Sequence, residues 1–201
     1  LAHPVDPLGK ISSNPCEGIK QLYTVDRSEK IWTDADITRQ KGVWSPEIAD
    51  AVDLAAHTGL RQGDLLKLSW SHIGKHEIII ATGKSRGRRE AIIPLYPDLR
   101  NVLARIPKRS TTILTNRRGR PWGKGFASSF SRAKKLAGLD ELHFHDLRGT
   151  AATRFYTAGL SERVIAEIMG WEEEHVGKII RRYVGRAAAT RATIRQLERR
   201  T

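Results

Sequence analysis

The chain has 201 residues, with 35 Lys and Arg against 22 Asp and Glu, a formal net charge of +13, and a hydrophobic content of 39%. That is one domain of ordinary size with loose ends, apolar enough to pack a core rather than stay disordered, and basic enough to call for a polyanionic partner, nucleic acid first. No apolar run reaches about 18 residues and no signal-peptide pattern is present, so a spanning helix is excluded.

Cys16 is the lone cysteine, which excludes an internal disulfide and fits a cytoplasmic setting, at a bacterial nucleoid or in a host cell. The chain starts at Leu1 and its one methionine is Met169, so a piece of a longer protein with a preceding domain is expected.

Residues 1–30 hold Pro4, Pro7, Gly9, Pro15 and Gly18 with little periodicity and read as a linker or arm. Thr33-Asp34-Ala35-Asp36-Ile37 is a predicted helix start whose acids suit the N-terminal dipole. Ser45-Pro46-Glu47 is a second, with Ser45 as N-cap and Pro46 in the first turn; from Ile48 to Ala55 the apolar residues fall at helical spacing. Gly59 ends that helix. Arg61 opens the next, which carries Leu65, Leu66 and Leu68.

Between Trp70 and Leu95 the period becomes that of strands. His76–Ala81 and Arg89–Ile93 flank the basic, glycine-containing turn Thr82–Arg88, a predicted hairpin that Pro94 closes. Leu99, Val102, Leu103 and Ile106 then mark a helix, Thr112–Leu114 a short extended piece, and Phe126–Leu136 another helix. The remainder reads as helical, broken at Gly159-Leu160-Ser161, Gly170 and Gly185. The expected fold is mainly α with one small antiparallel β-sheet (α+β): an arm over 1–30, a catalytic domain over 31–184, and a basic helix or tail over 185–201.

The residues able to do chemistry cluster in the same order. His145 and Arg148 are three apart, a spacing that puts both on one face of a helix and lets imidazole and guanidinium converge on one oxyanion. Taken alone, such a pair is more often solvated surface. Arg61 sits where a helix begins, beside free N–H groups, with Asp64 placed to hold its guanidinium; a plain surface ion pair is the bland alternative. Lys84 lies on the hairpin turn with Arg86, Arg88 and Arg89 close behind, either a solvated charge run or a cation pushed into a DNA groove. Tyr183 stands between basic residues near a glycine break. A phenol attacks phosphorus only when its proton is lost or shared, which cations beside the phosphate favour. Tyr23, Tyr96 and Tyr156 are assigned to packing or surface. His143 and His145 form a His-x-His pair, but no accompanying acid or cysteine pattern makes a metal site.

Three stretches carry these residues: Thr58-Gly59-Leu60-Arg61-Gln62-Gly63-Asp64, Gly83-Lys84 ahead of Ile92-Ile93-Pro94-Leu95, and His145-Asp146-Leu147-Arg148-Gly149-Thr150. With Met169-Gly170-Trp171 and Tyr183 behind them, the chain resembles the catalytic domain of the tyrosine recombinase, or phage integrase, family from about Thr33 to about Val184. The resemblance implies a recombinase that cleaves and rejoins DNA through a 3′-phosphotyrosyl link, without metal, ATP or other cofactor, to integrate or excise a phage or mobile element. Arg61 and Arg148 would clamp the scissile phosphate and Lys84 would protonate the leaving 5′-hydroxyl. His145 would move protons and Trp171 would donate to the phosphate, while Tyr183 attacks. Asp64 supports the site and Arg86, Arg88 and Arg89 bind DNA. It also implies a homotetramer on DNA, with DNA-bending accessory proteins and a C-terminal helix at Arg186–Arg200 packing on a neighbour.

Three features depart from the family pattern, while Trp171 stands where the family usually has His and sometimes Trp. Asp64 stands where Glu is commoner, and Gly149 where His often follows the second arginine. The interval from Trp171 to Tyr183 is longer than usual. Two other readings stay open: a related DNA-nicking enzyme, such as a type IB topoisomerase-like relaxase or a resolvase, and a non-catalytic DNA-binding module of the same fold.

Overall fold

A computed structural model describes residues 30–39, 42–83 and 90–184, together with Gly18, Thr190 and Ile194. The first helix, α1 (Asp34–Arg39), begins with a reciprocal cap. The Thr33 amide and hydroxyl donate to Asp36 Oδ2 at 3.0 and 2.6 Å, and the Asp36 amide donates back to Thr33 Oγ1 at 3.2 Å.

The second helix, α2 (Pro46–Thr58), starts at Ser45 as expected, but the Ser45 hydroxyl makes no cap bond. Its carbonyl instead takes the Ile48 and Ala49 amides, each at 3.0 Å, and Pro46 brings no N–H that needs a partner. Ile48, Ala51, Val52, Leu54, Ala55 and Ala56 are all buried, so α2 is apolar on nearly every side. A helix of that kind belongs at the centre. It lies against α4 (Pro97–Arg105), α5 (Gly125–Leu136) and α6 (Leu147–Thr157). Each buried Leu or Val there stabilises by about 1.5–3 kcal/mol, so a charge at Val52 or Leu54 would break the fold.

Gly59 closes α2 in the left-handed conformation at φ 65°. The helix that follows, α3 (Gln62–Leu65), is a single turn; Leu65 and Leu68 beyond it are buried. Trp70–His72 is a 3-10 turn rather than extended chain. The sheet is two antiparallel strands, β1 (Glu77–Ala81) and β2 (Glu90–Pro94), with Ile79 opposite Ile92. Their alternation is that of a sheet covered on one face: Ile78, Ile80, Ala91 and Ile93 are buried, while Ile79 and Ile92 are exposed.

The C-terminal part is three helices packed on one another: α6, α7 (Glu162–Met169) and α8 (Glu173–Tyr183). Gly170, at φ 62°, ends α7 as read from sequence. Trp32, Trp44, Phe126, Phe130 and Phe144 form an aromatic cluster with centroids 5.2–6.2 Å apart. Trp32 also straps the entering chain across α6. Its amide donates to Thr150 Oγ1 at 2.8 Å, that hydroxyl donates to the Trp32 carbonyl at 2.9 Å, and the indole donates to the His143 carbonyl at 2.8 Å. A Cβ on Gly149 would lie 2.5 Å from Ile31 Cγ2. Residue 149 therefore has no side chain because the chain crosses there.

Candidate active site

Arg148 occupies the first turn of α6 and is only 4% exposed. A buried guanidinium needs acceptors, and two helix ends supply them. Nη1 donates to the Gly59 carbonyl at the end of α2, at 2.7 Å, and Nη2 donates to the Met169 carbonyl at the end of α7. Both carbonyls lie at C-termini, where the helix dipole is negative and suits a cation. The two ends are themselves in contact: a Cβ on Gly59 would fall 2.4 Å from Met169 Sδ. Arg148 Nε is buried and has no hydrogen-bond partner among the described residues.

The electrostatics of this group are unusual. Burial, and then the Arg61 guanidinium nearby, push the Arg148 pKa down to about 9, while Asp64 opposes them. Arg61 is the half-buried N-cap of α3, in extended conformation. Asp64 is buried, at 6% exposure, and its Oδ1 accepts the Gly83 amide at 2.8 Å. The expected ion pair between Asp64 and Arg61 is absent among the described residues; the carboxylate ties down the start of the hairpin turn instead. Arg61, Asp64, Thr82, Glu90 and Arg148 line one cleft of about 320 Å³.

Of the other sequence-predicted residues, His145, Trp171 and Tyr183 are not among those that line that cleft. His145 is not on a helix with Arg148. It lies in the 3-10 turn Phe144–Asp146 just ahead of α6 and is exposed. The reason is local: the buried Asp146 carboxylate accepts the His143 amide at 2.7 Å, which winds a tight turn before the α-helix begins. Trp171 sits between α7 and α8, with its ring centroid 5.0 Å from the Arg148 guanidinium carbon. Tyr183 is the last residue of α8, half-buried, with the Arg182 guanidinium 5.8 Å from its ring centroid. An α8 of 11 residues is about 16 Å long, so Tyr183 and Trp171 mark its opposite ends. Lys84, Arg86, Arg88 and Arg89 lie outside the described residues, as does Arg186–Arg200 apart from Thr190 and Ile194.

Some participants were not read from sequence at all. The Gly59 and Met169 carbonyls are backbone atoms with no letter of their own; glycine at a helix end was the one available clue. His175 was missed because its partner is a ring across a helix start: the His175 and Trp171 centroids are 4.7 Å apart with the rings at 87°. Thr82 and Glu90 flank the hairpin turn and meet the cleft only once the sheet forms. Among the described residues no group of three or more His, Cys, Asp or Glu is placed to hold a metal ion, and no helix is long and apolar enough to cross a membrane.

Comparison with known proteins identifies the family of the chain. The model of the phage integrase family matches residues 19–188. The shufflon-specific DNA recombinase of Escherichia coli is 31% identical over 121 residues, covering 58% of this chain and 30% of that protein. The chain spans about a third to a half of the length of the curated relatives it matches. Among solved structures, the lambda integrase catalytic core superposes with a TM-score of 0.59 at 25% identity, covering 70% of this chain and 91% of that one. A lambda integrase tetramer bound to a Holliday junction superposes with a TM-score of 0.65 at 23% identity, covering 85% and 53% respectively.

Proposed function

The chain belongs to the phage integrase family, and on that premise we propose that it carries the catalytic centre of a site-specific DNA recombinase. The observation that carries this reading is the pair of arginines at one cleft. Arg148 is buried on two carbonyls with Arg61 beside it, and Asp64, the carboxylate that opposes the lowering of the Arg148 pKa, is already bonded to the Gly83 amide. Two cations held together in this way favour an oxyanion between them, and a DNA phosphodiester is the oxyanion that a basic chain of this family meets.

In the proposed reaction the scissile phosphate lies between Arg61 and Arg148. The Tyr183 oxygen attacks phosphorus, a P–O bond to tyrosine forms, and the P–O bond to the 5′-oxygen breaks. His145 takes the phenol proton and Lys84 gives one to the departing 5′-oxygen. The Trp171 indole can donate to a non-bridging oxygen but cannot shuttle a proton, so its part is binding. The bond energy is kept in the phosphotyrosyl link, and rejoining needs neither ATP nor metal. Since Tyr183 is at the far end of α8 from Trp171, the end of α8 is brought to the phosphate as DNA binds.

The protein acts on double-stranded DNA inside the cell, at the nucleoid or in a host. It serves integration or excision of a phage or mobile element as a tetramer, as the lambda integrase tetramer on a Holliday junction suggests. Arg86, Arg88 and Arg89 bind the DNA, and DNA-bending accessory proteins assist. The arm over 1–30, the catalytic domain over 31–184 and the tail over 185–201 divide the chain.

The test is covalent trapping on nicked duplexes tiling the DNA that flanks its own gene. The wild-type protein is expected to give a protease-sensitive, SDS-resistant adduct that Tyr183→Phe loses while still binding DNA. Adduct formed equally by Tyr183→Phe would remove the nucleophile assignment. Binding without adduct, even in the full-length protein, would favour a DNA-binding module.

A further inference from the structure

Trp171 lies in the short link between α7 and α8, where no helix fixes its side chain. Its amide is held by the Ala166 carbonyl at 3.0 Å, but among the described residues its indole N–H makes no hydrogen bond. No hydrogen bond therefore sets the ring plane; the ring packs partly on the core and meets two further groups. One is Arg148, itself immobilised by the Gly59 and Met169 carbonyls, at 5.0 Å from the indole centroid. The second is His175, in a T-shaped contact at 4.7 Å and 87°.

His175 is well placed to be a fixed wall. It belongs to the first turn of α8, its amide donates to the Glu172 carbonyl at 3.1 Å, and the next residue, Val176, is fully buried. Glu172, Glu173 and Glu174 are all exposed, so this turn sends its acids outward and its one ring inward. A T-shaped pair prefers one relative orientation, because the electron-poor edge of one ring faces the electron-rich face of the other. Trp171 is thus in contact with both Arg148 and His175, and each contact limits how its ring can lie.

We propose that His175 is a positioning residue that holds the Trp171 indole against Arg148, so that the indole N–H stays aimed at the phosphate between Arg61 and Arg148. The catalytic half of this inference rests on the recombinase reading above; the positioning half does not. His175 reaches the reaction only through Trp171, and without it the indole loses one of the contacts that set its plane, keeping Arg148 and its partial packing on the core.

Two measurements on the full chain separate those halves. In the first, all five tryptophans are replaced by 5-fluorotryptophan, and the Trp171 fluorine resonance is assigned by its loss in Trp171→Phe. His175→Ala shifts and broadens that resonance, while His175→Phe, which keeps an edge-on ring, leaves it sharp. In the second, the rate of covalent adduct on the nicked flanking duplexes falls about 3- to 10-fold in His175→Ala, the size expected for one aromatic pair. DNA affinity stays within about twofold, His175→Phe restores the rate, and His175→Ala adds nothing in a Trp171→Phe background. His175→Gln, a polar replacement that keeps helix propensity, repeats the Ala result if the Ala variant folds poorly. An unmoved Trp171 resonance overturns the proposal. So does an equal slowing by His175→Ala with and without Trp171. A moved resonance in a protein whose wild type forms no adduct sinks the recombinase reading, and the catalytic half of this inference with it.

Discussion

The two ends of the proposed reaction are built differently. Arg148 is part of the core: 4% exposed, hung from the carbonyls that close α2 and α7, with a glycine at the end of each helix. Tyr183 is at a rim, half-buried on the final residue of α8 beside the exposed Arg181 and Arg182. The clamp is assembled when the chain folds, and its dipoles need no reorganisation as charge develops on phosphorus. The nucleophile is left where small movements are cheap. On the proposed reading, a preformed clamp and a tyrosine at the rim make delivery of Tyr183 the step that decides cutting.

That contrast can be broken from the clamp side first. Arg148→Ala is expected to lower the rate of adduct formation by about 10²–10³-fold while DNA binding changes far less, because the lost interaction acts mainly on transition-state charge. Equal losses in rate and affinity would make Arg148 an ordinary DNA contact. Gly59→Ala should cost about 1–3 kcal/mol in urea unfolding, since φ 65° is strained for alanine and the new Cβ meets Met169 Sδ. Combining it with Met169→Ala should recover the part due to the clash. Tyr183→Phe, at the rim, should leave the unfolding midpoint within experimental error.

Smaller effects sharpen the picture. Asp64→Asn keeps an acceptor for the Gly83 amide but removes the charge that opposes the lowering of the Arg148 pKa. The decline of activity at alkaline pH should therefore begin lower in that variant than in the wild type, which a pH–rate profile would read. On α2, burial pushes the His57 pKa down to about 3, so between pH 3 and its ordinary value of 6.5 the unfolded chain binds the proton and the folded one does not. Stability then rises with pH across that window, and urea midpoints should fall as the solution is acidified below about 6.5; His57→Gln should flatten this slope. Last, DNA affinity should drop steeply with salt as counterions are released. A flat response would count against the DNA partner.

Much of the scaffold could be read from residue types. Ser45-Pro46, Gly59, Gly170 and the alternation of Ile78 to Ile80 each act over a few neighbouring positions, and there sequence pattern and structure coincide. The site is different because its contacts are long in sequence or made by the backbone. Asp64 reaches Gly83, nineteen positions on, rather than the arginine beside it. Arg148 is held by carbonyls from two distant helix ends, which side-chain identity does not announce. His145 was given the geometry of a regular helix, but the Asp146 cap turns that stretch into a 3-10 turn. Even the glycine at 149, noted only as a departure, has its reason in Ile31, far off in sequence.

The strap of Trp32 and Ile31 over α6 has a mechanical consequence. The chain enters the domain by passing across Gly149, the residue next to Arg148, and is fastened there through Thr150 in both directions. The entering chain is thereby fixed on α6 within two residues of Arg148, so a pull on it at Trp32 is borne first by the turn that carries that arginine.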